Sequence, residues 1–282
     1  MAQDSAPLVE VRGLSKRYPA FTLEDVSFAV GVGSITGFIG RNGAGKSTTL
    51  KCLEGSVHPD AGSVTYFGQP FAGYEEQAKR LIGFELGGAD FYRNKRVSTI
   101  AAVTRRFYDN WDQGAFENYC RLFSVDQAKH VKELSQGMRV KFAVALALSH
   151  RSKLLVLDEP TSGLDPASRE EVLDVFLQLA RDEGAGILFS THITSDLYKC
   201  ADHIVYIENG RIIDSGALTD FKDSYRGRRN DRGRTEAKAA GAQVIGIRHS
   251  VSGDTALAPA SAGIGMAATL DDIMTYTHKE VA

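Results

Sequence analysis

At 282 residues with 43% hydrophobic content, the chain is long enough for one large domain with an appendage, or two modest domains, and too apolar for extended disorder. A formal net charge of −2 gives no general attraction for nucleic acid or an anionic membrane surface, so no nucleic-acid partner is expected. Cys52, Cys120 and Cys200 are odd in number and lack a C-x-x-C pair, which suits a reducing compartment rather than a disulfide framework. The stretch Met1 to Pro7 has no apolar signal core, and no apolar run reaches the roughly 18 residues of a membrane-spanning helix.

In chain order, Leu8 to Leu14 alternates as a strand, and Phe21 to Val30 follows as a second strand after the turn at Pro19. Tyr18 lies between them, readable as a half-exposed strand tyrosine or as a ring available for stacking. The apolar run Ile35 to Ile39 reads as a buried strand and Ser47 to Leu53 as a helix. Between them, Gly40-Arg41-Asn42-Gly43-Ala44-Gly45-Lys46-Ser47-Thr48 fits the phosphate-loop pattern G-x-x-x-x-G-K-[ST] in the strand-loop-helix context that pattern requires. Gly43 and Gly45 let the backbone bend so that successive N–H groups face phosphate oxygens, and the following helix adds its positive end. Lys46 then carries a full charge to the β- and γ-phosphates, and the Ser47 hydroxyl is a ligand for Mg²⁺. A dinucleotide fingerprint fits less well, because Gly31, Gly33 and Gly37 are spaced G-x-G-x-x-x-G without the downstream acidic residue.

Asp60 to Gly62 is a turn, Ser63 to Phe67 and Arg80 to Phe84 are short strands, and Val97 to Phe123 is helical with a polar break at Trp111. The whole of about 88–150 reads as a helical subdomain inserted into an α/β core. Within it, Ser135 is a helix N-cap in Leu134-Ser135-Gln136-Gly137-Met138, and Arg139 to His150 forms a long helix. Leu154 to Leu157 is a buried strand that ends in Asp158-Glu159-Pro160. Two adjacent carboxylates at such an edge are costly unless they bind something. Beside a phosphate loop, Asp158 is the natural Mg²⁺ partner and Glu159 the candidate base for an attacking water. Thr161 to Pro166 is a turn, Ala167 to Arg181 a helix and Gly186 to Ser190 a strand; His192 follows at the same sheet edge and suits a γ-phosphate contact.

His203 to Glu208 and Arg211 to Ser215 flank the turn Asn209-Gly210 as a hairpin. The core is expected to span 1–222. Residues 223–241, with five arginines between Arg226 and Arg234, read as a solvated basic linker. Residues 242–282 read as a small α+β docking segment with strands at Ala242 to Arg248 and Ala256 to Leu257 and a helix from Leu270 to His278. Asp254 and Asp271 carry no partner pattern.

Taken together, Leu8 to Lys222 resembles the ATP-binding subunit of ABC transporters. The likeness rests on five motifs in the family's order: the phosphate loop, the Leu134 to Met138 signature, the Leu154 to Glu159 carboxylate strand, the Ser162 to Asp165 turn and His192. The resemblance implies a P-loop NTPase core of ABC ATPase type that dimerises head to tail around two ATP molecules. It would drive separate integral membrane subunits from the cytoplasmic face. It further implies that Tyr18 stacks on adenine, that Ser135 and Gly137 reach the γ-phosphate held by a second ATPase subunit, and that Asp165 links the two sites. Stretches such as Phe107 to Asp112 and Ala268 to Met274 are similar to a bacterial subgroup linked with export of, or resistance to, antibiotic peptides. Two departures stand out: Gln136 and Met138 in the signature, and Gly87 where the family places a Mg²⁺-touching glutamine, from which slower or differently coupled turnover is expected. A soluble ABC-type ATPase acting on another assembly and a low-turnover regulatory module are the alternatives.

Overall fold

The computed structural model describes residues 6–86, 92–223, 225–229, 246–248, 255–259 and 266–276, so Gly87 and Asp254 lie outside the described residues. The chain divides into two compact units, Met1–Ile213 and Asp214–Ala282.

The first unit opens with β1 (Val9–Tyr18), β2 (Phe21–Val30), β3 (Ile35–Ile39), α1 (Lys46–Glu54), β4 (Ala61–Tyr66) and β5 (Gln69–Pro70). Strands β2, β1, β4 and β5, in that order, form an antiparallel sheet. In β2 the inward residues Leu23, Val26, Phe28 and Val30 keep period two except at Asp25, whose φ of 52° marks a bulge. The Ser15 hydroxyl accepts the displaced Asp25 N–H at 3.0 Å.

Helix α2 (Glu75–Arg80) leads into β6 (Ile82–Glu85), which is shorter than expected because the helix takes up Arg80. Then come α3 (Val97–Thr104), a 3-10 turn at Arg105–Phe107, α4 (Gln113–Leu122) and α5 (Gln136–Leu148). Asp112 caps α4 by accepting Ala115 N–H, which explains why helicity restarts just after Trp111. β7 (Leu154–Asp158), α6 (Pro166–Glu183), β8 (Gly186–Thr191), α7 (Thr194–Cys200) and β9 (His203–Glu208) follow, and β10 (Arg211–Ala217) spans the division between the units.

The second sheet has the order β10-β9-β3-β8-β7-β6, with β9, β3, β8, β7 and β6 mutually parallel. Its central strands β3 and β8 are buried along their whole length, as continuous apolar strands covered on both faces should be. The inner face of the antiparallel sheet meets Phe38, Leu50, Leu53, Val156 and Leu188 in one apolar cluster, where the Phe28 and Phe38 rings lie 5.5 Å apart. Among the described residues no helix is long and apolar enough to cross a membrane.

The second unit holds α8 (Leu218–Asp223), β11 (Tyr225–Arg229), β12 (Gly246–Arg248), β13 (Thr255–Pro259), β14 (Met266–Ala267) and α9 (Leu270–Tyr276). Its sheet has the order β12-β13-β11-β14 and is antiparallel throughout. The start of the expected linker is therefore a strand: Tyr225–Arg229 pairs along its length with β13. Ladder pairing uses backbone groups, so a run of arginines does not prevent it. Residues 230–241 lie outside the described residues. Helix α9 buries Leu270 and Ile273 and packs on β12 and β13.

Candidate nucleotide site

Strands β3, β8 and β7 are neighbours, and their register sets Ile39 beside Thr191 and Asp158 beside Ser190. The segments that leave these strands, Gly40 to Gly45, Glu159 to Ser162 and His192, therefore emerge together at the C-terminal edge of a parallel sheet, where such folds open a crevice. A cavity of about 710 Å³ lies there, lined by Ala20, Phe21, Arg41 to Gly43, Gly45 to Thr48, Glu159, Ser162 and His192.

The loop is built on positive φ. Gly45 caps α1 at φ 116°, and an added Cβ would sit 3.0 Å from both Leu23 Cδ1 and Phe21 Cζ. Gly43 has φ 82° and open space where a side chain would project. Ala44 is buried and does not line the cavity; its carbonyl accepts Gly210 N–H at 2.9 Å, tying the loop to the turn after β9.

Lys46 is only 5% exposed, and its Nζ donates to Gly40 O at 2.6 Å and Arg41 O at 3.2 Å. Burial lowers its pKa, while the charges of Glu159 and Asp158 oppose that shift. Glu159 Oε1 lies 3.6 Å from Lys46 Nζ, and Oε2 lies 2.6 Å from His192 Nδ1. Glu159 itself stands at φ 54°, a left-handed conformation that costs a non-glycine residue about 1–2 kcal/mol. Its N–H is held by Ser190, at 3.0 Å from Oγ and 3.2 Å from the carbonyl. Ser190 Oγ in turn donates to Asp158 Oδ1. Just beyond, buried Thr161 donates to Asp196 Oδ2 of α7 at 2.6 Å, anchoring the turn that follows Glu159.

Lys46, Asn42, Gly43, Gly45, Ser47, Thr48, Glu159 and His192 thus meet at one cavity, with Asp158 adjoining through Ser190. The other candidates do not line it. Tyr18 is 38% exposed at the end of β1 and pairs in register with Phe21, which does line the cavity. Ser135 is exposed and caps α5, accepting Met138 N–H at 3.2 Å. A Cβ on Gly137 would sit 3.1 Å from Leu164 Cδ2, so the signature abuts the turn that leads to Asp165. Asp165 caps α6 by accepting Ser168 N–H at 3.0 Å. Phe21 and Ser190 were not singled out as site residues in the sequence, and Ser162 was read only as part of the turn that leads to Asp165. The signal for Ser190 was a hydroxyl closing an otherwise apolar buried strand.

Among the described residues no group of three or more His, Cys, Asp or Glu side chains can enclose a metal. One hydroxyl, Ser47, and one carboxylate, Asp158, fit Mg²⁺, which keeps water and phosphate oxygens as its remaining ligands.

The ABC transporter family model matches residues 23–162. The chain is similar to the bacitracin transport ATP-binding protein BcrA of Bacillus licheniformis, 30% identical over 222 residues that cover 78% of this chain and 72% of that protein. It is 35% identical over 220 residues to the Nod factor export ATP-binding protein I of Burkholderia orbicola, covering 74% and 70% respectively. Its fold is shared, at TM-score 0.66 and 18% identity over 74% of this chain and 98% of the other, with the dimeric ATP-binding cassette MJ0796 in a post-hydrolysis state bound to ADP and Pi. The chain belongs to the ATP-binding subunits of ABC transporters, ATPases built on a P-loop NTPase fold.

Proposed function

We propose that the chain closes as a head-to-tail dimer on two Mg-ATP molecules and transmits that closure to separate integral membrane subunits at the cytoplasmic face, in the direction of export. The export direction is supported by the likeness to the Nod factor export protein, and the dimer by the dimeric assembly of MJ0796. The loop residues Asn42 to Thr48 grip the phosphates through backbone N–H groups and the start of α1. Lys46 binds the β- and γ-phosphate oxygens. Ser47 and Asp158 hold Mg²⁺, which when bound neutralises phosphate charge. Tyr18, assisted by Phe21, takes the adenine face.

Glu159 orients the attacking water and accepts its proton, and His192 hydrogen-bonds the γ-phosphate. Ser135 and Gly137 complete the site of the opposing copy, and Asp165 couples the two. This arrangement accounts for an N-capping serine and a helix start that do not line the chain's own cavity. A single observation carries the reading: the Glu159 carboxylate stands between Lys46 and His192 in the lining of the phosphate-loop cavity.

The test is isolation of the complex from its native membrane under mild detergent. Integral subunits that co-purify with two ATPase subunits, and whose presence raises ATP turnover, are the expected result. Purification of the membrane fraction with no integral partner bound would overturn the transport reading.

A further inference from the structure

We propose that Ser190 is a positioning residue for hydrolysis, its single hydroxyl setting both carboxylates at the end of β7; this rests on the roles of Asp158 and Glu159 given above. Ser190 is fully buried and sits beside Asp158 in the β7–β8 register. A hydroxyl carries one donor and two acceptor lone pairs, so it can serve two neighbours at once. Here it donates to Asp158 Oδ1 and accepts Glu159 N–H at 3.0 Å.

Each bond has a distinct consequence. The first fixes the rotation of the Asp158 carboxylate through one oxygen, Oδ1, and leaves Oδ2 for another partner. The second holds the backbone of Glu159 at φ 54°, the unfavourable conformation that turns its side chain from the strand direction toward Lys46 and His192. Without the hydroxyl, Glu159 N–H keeps only the 3.2 Å bond to the Ser190 carbonyl, and Asp158 loses its orienting donor. Ser190 touches neither water nor phosphate in this scheme; it acts through the two residues that do.

The test compares full-length Ser190→Ala, Ser190→Val and Ser190→Thr. The last two have nearly the same shape and differ in the hydroxyl. The first readout is hydrogen exchange at the Glu159 amide in nucleotide-free protein, and the second is ATP hydrolysis as a function of Mg²⁺ concentration. Loss of the hydroxyl should speed exchange about tenfold, lower kcat about tenfold or more and raise the Mg²⁺ needed for half-maximal rate, with KM for ATP little changed. Threonine should restore all three and valine none. Parental exchange and turnover in Ser190→Ala, or equal behaviour of threonine and valine, would overturn the assignment. Ser190→Ala removes only the oxygen and decides the matter even where the larger side chains do not fit. Asp158→Asn and Glu159→Gln serve as controls: parental rates in these would sink the site reading itself, whereas inactive controls beside a parental Ser190→Ala would sink only the Ser190 assignment.

Discussion

Glu159 Oε2 lies 2.6 Å from His192 Nδ1, although the two residues leave different strands, β7 and β8. The imidazole is therefore placed to donate to the carboxylate, and the carboxylate also faces the Lys46 ammonium at 3.6 Å. The His192 ring and the facing Lys46 charge thus orient this carboxylate before substrate arrives, which is what the proposed water-activating role of Glu159 requires.

The first prediction concerns that base. Glu159→Gln keeps the shape and the hydrogen-bonding capacity but cannot accept a proton, so it should bind ATP and hydrolyse it about 100-fold or more slowly. Lys46→Ala, by contrast, should lose nucleotide binding. Single-turnover hydrolysis and equilibrium nucleotide titration separate the two outcomes. Parental turnover in Glu159→Gln would remove Glu159 from the chemistry.

Two glycines of one loop should fail in different ways. A Cβ on Gly40 would stand 2.4 Å from the Ile207 carbonyl oxygen, a backbone atom that cannot swing aside. Gly40→Ala should therefore cost about 1–3 kcal/mol and lower Tm. Gly43 has open space around its missing side chain, so Gly43→Ala carries mainly the cost of its positive φ, about 1–2 kcal/mol, and should weaken ATP binding more than it lowers Tm. Thermal unfolding with parallel ATP titration checks the pair, and equal melting of Gly40→Ala and parent would contradict the packing argument.

Closure across two copies supplies the third prediction. Ser135 is exposed at the start of α5 and does not line its own chain's cavity, so Ser135→Arg should leave ATP binding by the single chain intact. It should abolish the nucleotide-dependent dimer through bulk and charge at the opposing site. Size-exclusion chromatography with Mg-ATP, in a Glu159→Gln background that preserves the bound nucleotide, reads this directly. Undiminished dimerisation would refute a composite site.

His150 gives a pH-dependent prediction away from the site. It is 1% exposed and its ring stacks on Tyr108 with centroids 3.8 Å apart. Burial lowers its pKa from 6.5 to about 4. The folded state therefore resists protonation: the stability this provides is complete above the unfolded value and is lost as pH falls through the folded one. The contribution is on the order of 3 kcal/mol. His150→Phe keeps a stacked ring without a titration, so the parent should lose stability relative to this variant between about pH 7 and about pH 4. Chemical denaturation at several pH values measures the difference; a difference independent of pH would show that His150 is not held neutral.

The phosphate loop, the carboxylate pair and His192 were legible in the sequence because each is a local pattern: a glycine spacing that demands positive φ, or polar residues placed where an apolar strand ends. A local pattern also marked Ser135 as a cap, since a serine before a helix is a short-range hydrogen-bonding device. The strand Tyr225–Arg229 was not legible, because its charged composition resembles a solvated linker and only pairing with the distant β13 makes it a strand.

Ser190 and Phe21 were hidden for a related reason. Each carries meaning through a neighbour far away in sequence: Ser190 through Asp158 across a parallel strand pair, and Phe21 through Gly45 across two elements. Residue types and short spacings were enough to nominate the groups that can bind phosphate or accept a proton, since both properties belong to individual side chains and short loops. How Glu159 is aimed is a matter of strand order and register, which bring Lys46 and His192 to its carboxylate and Ser190 to its backbone N–H, and no local spacing encodes that convergence.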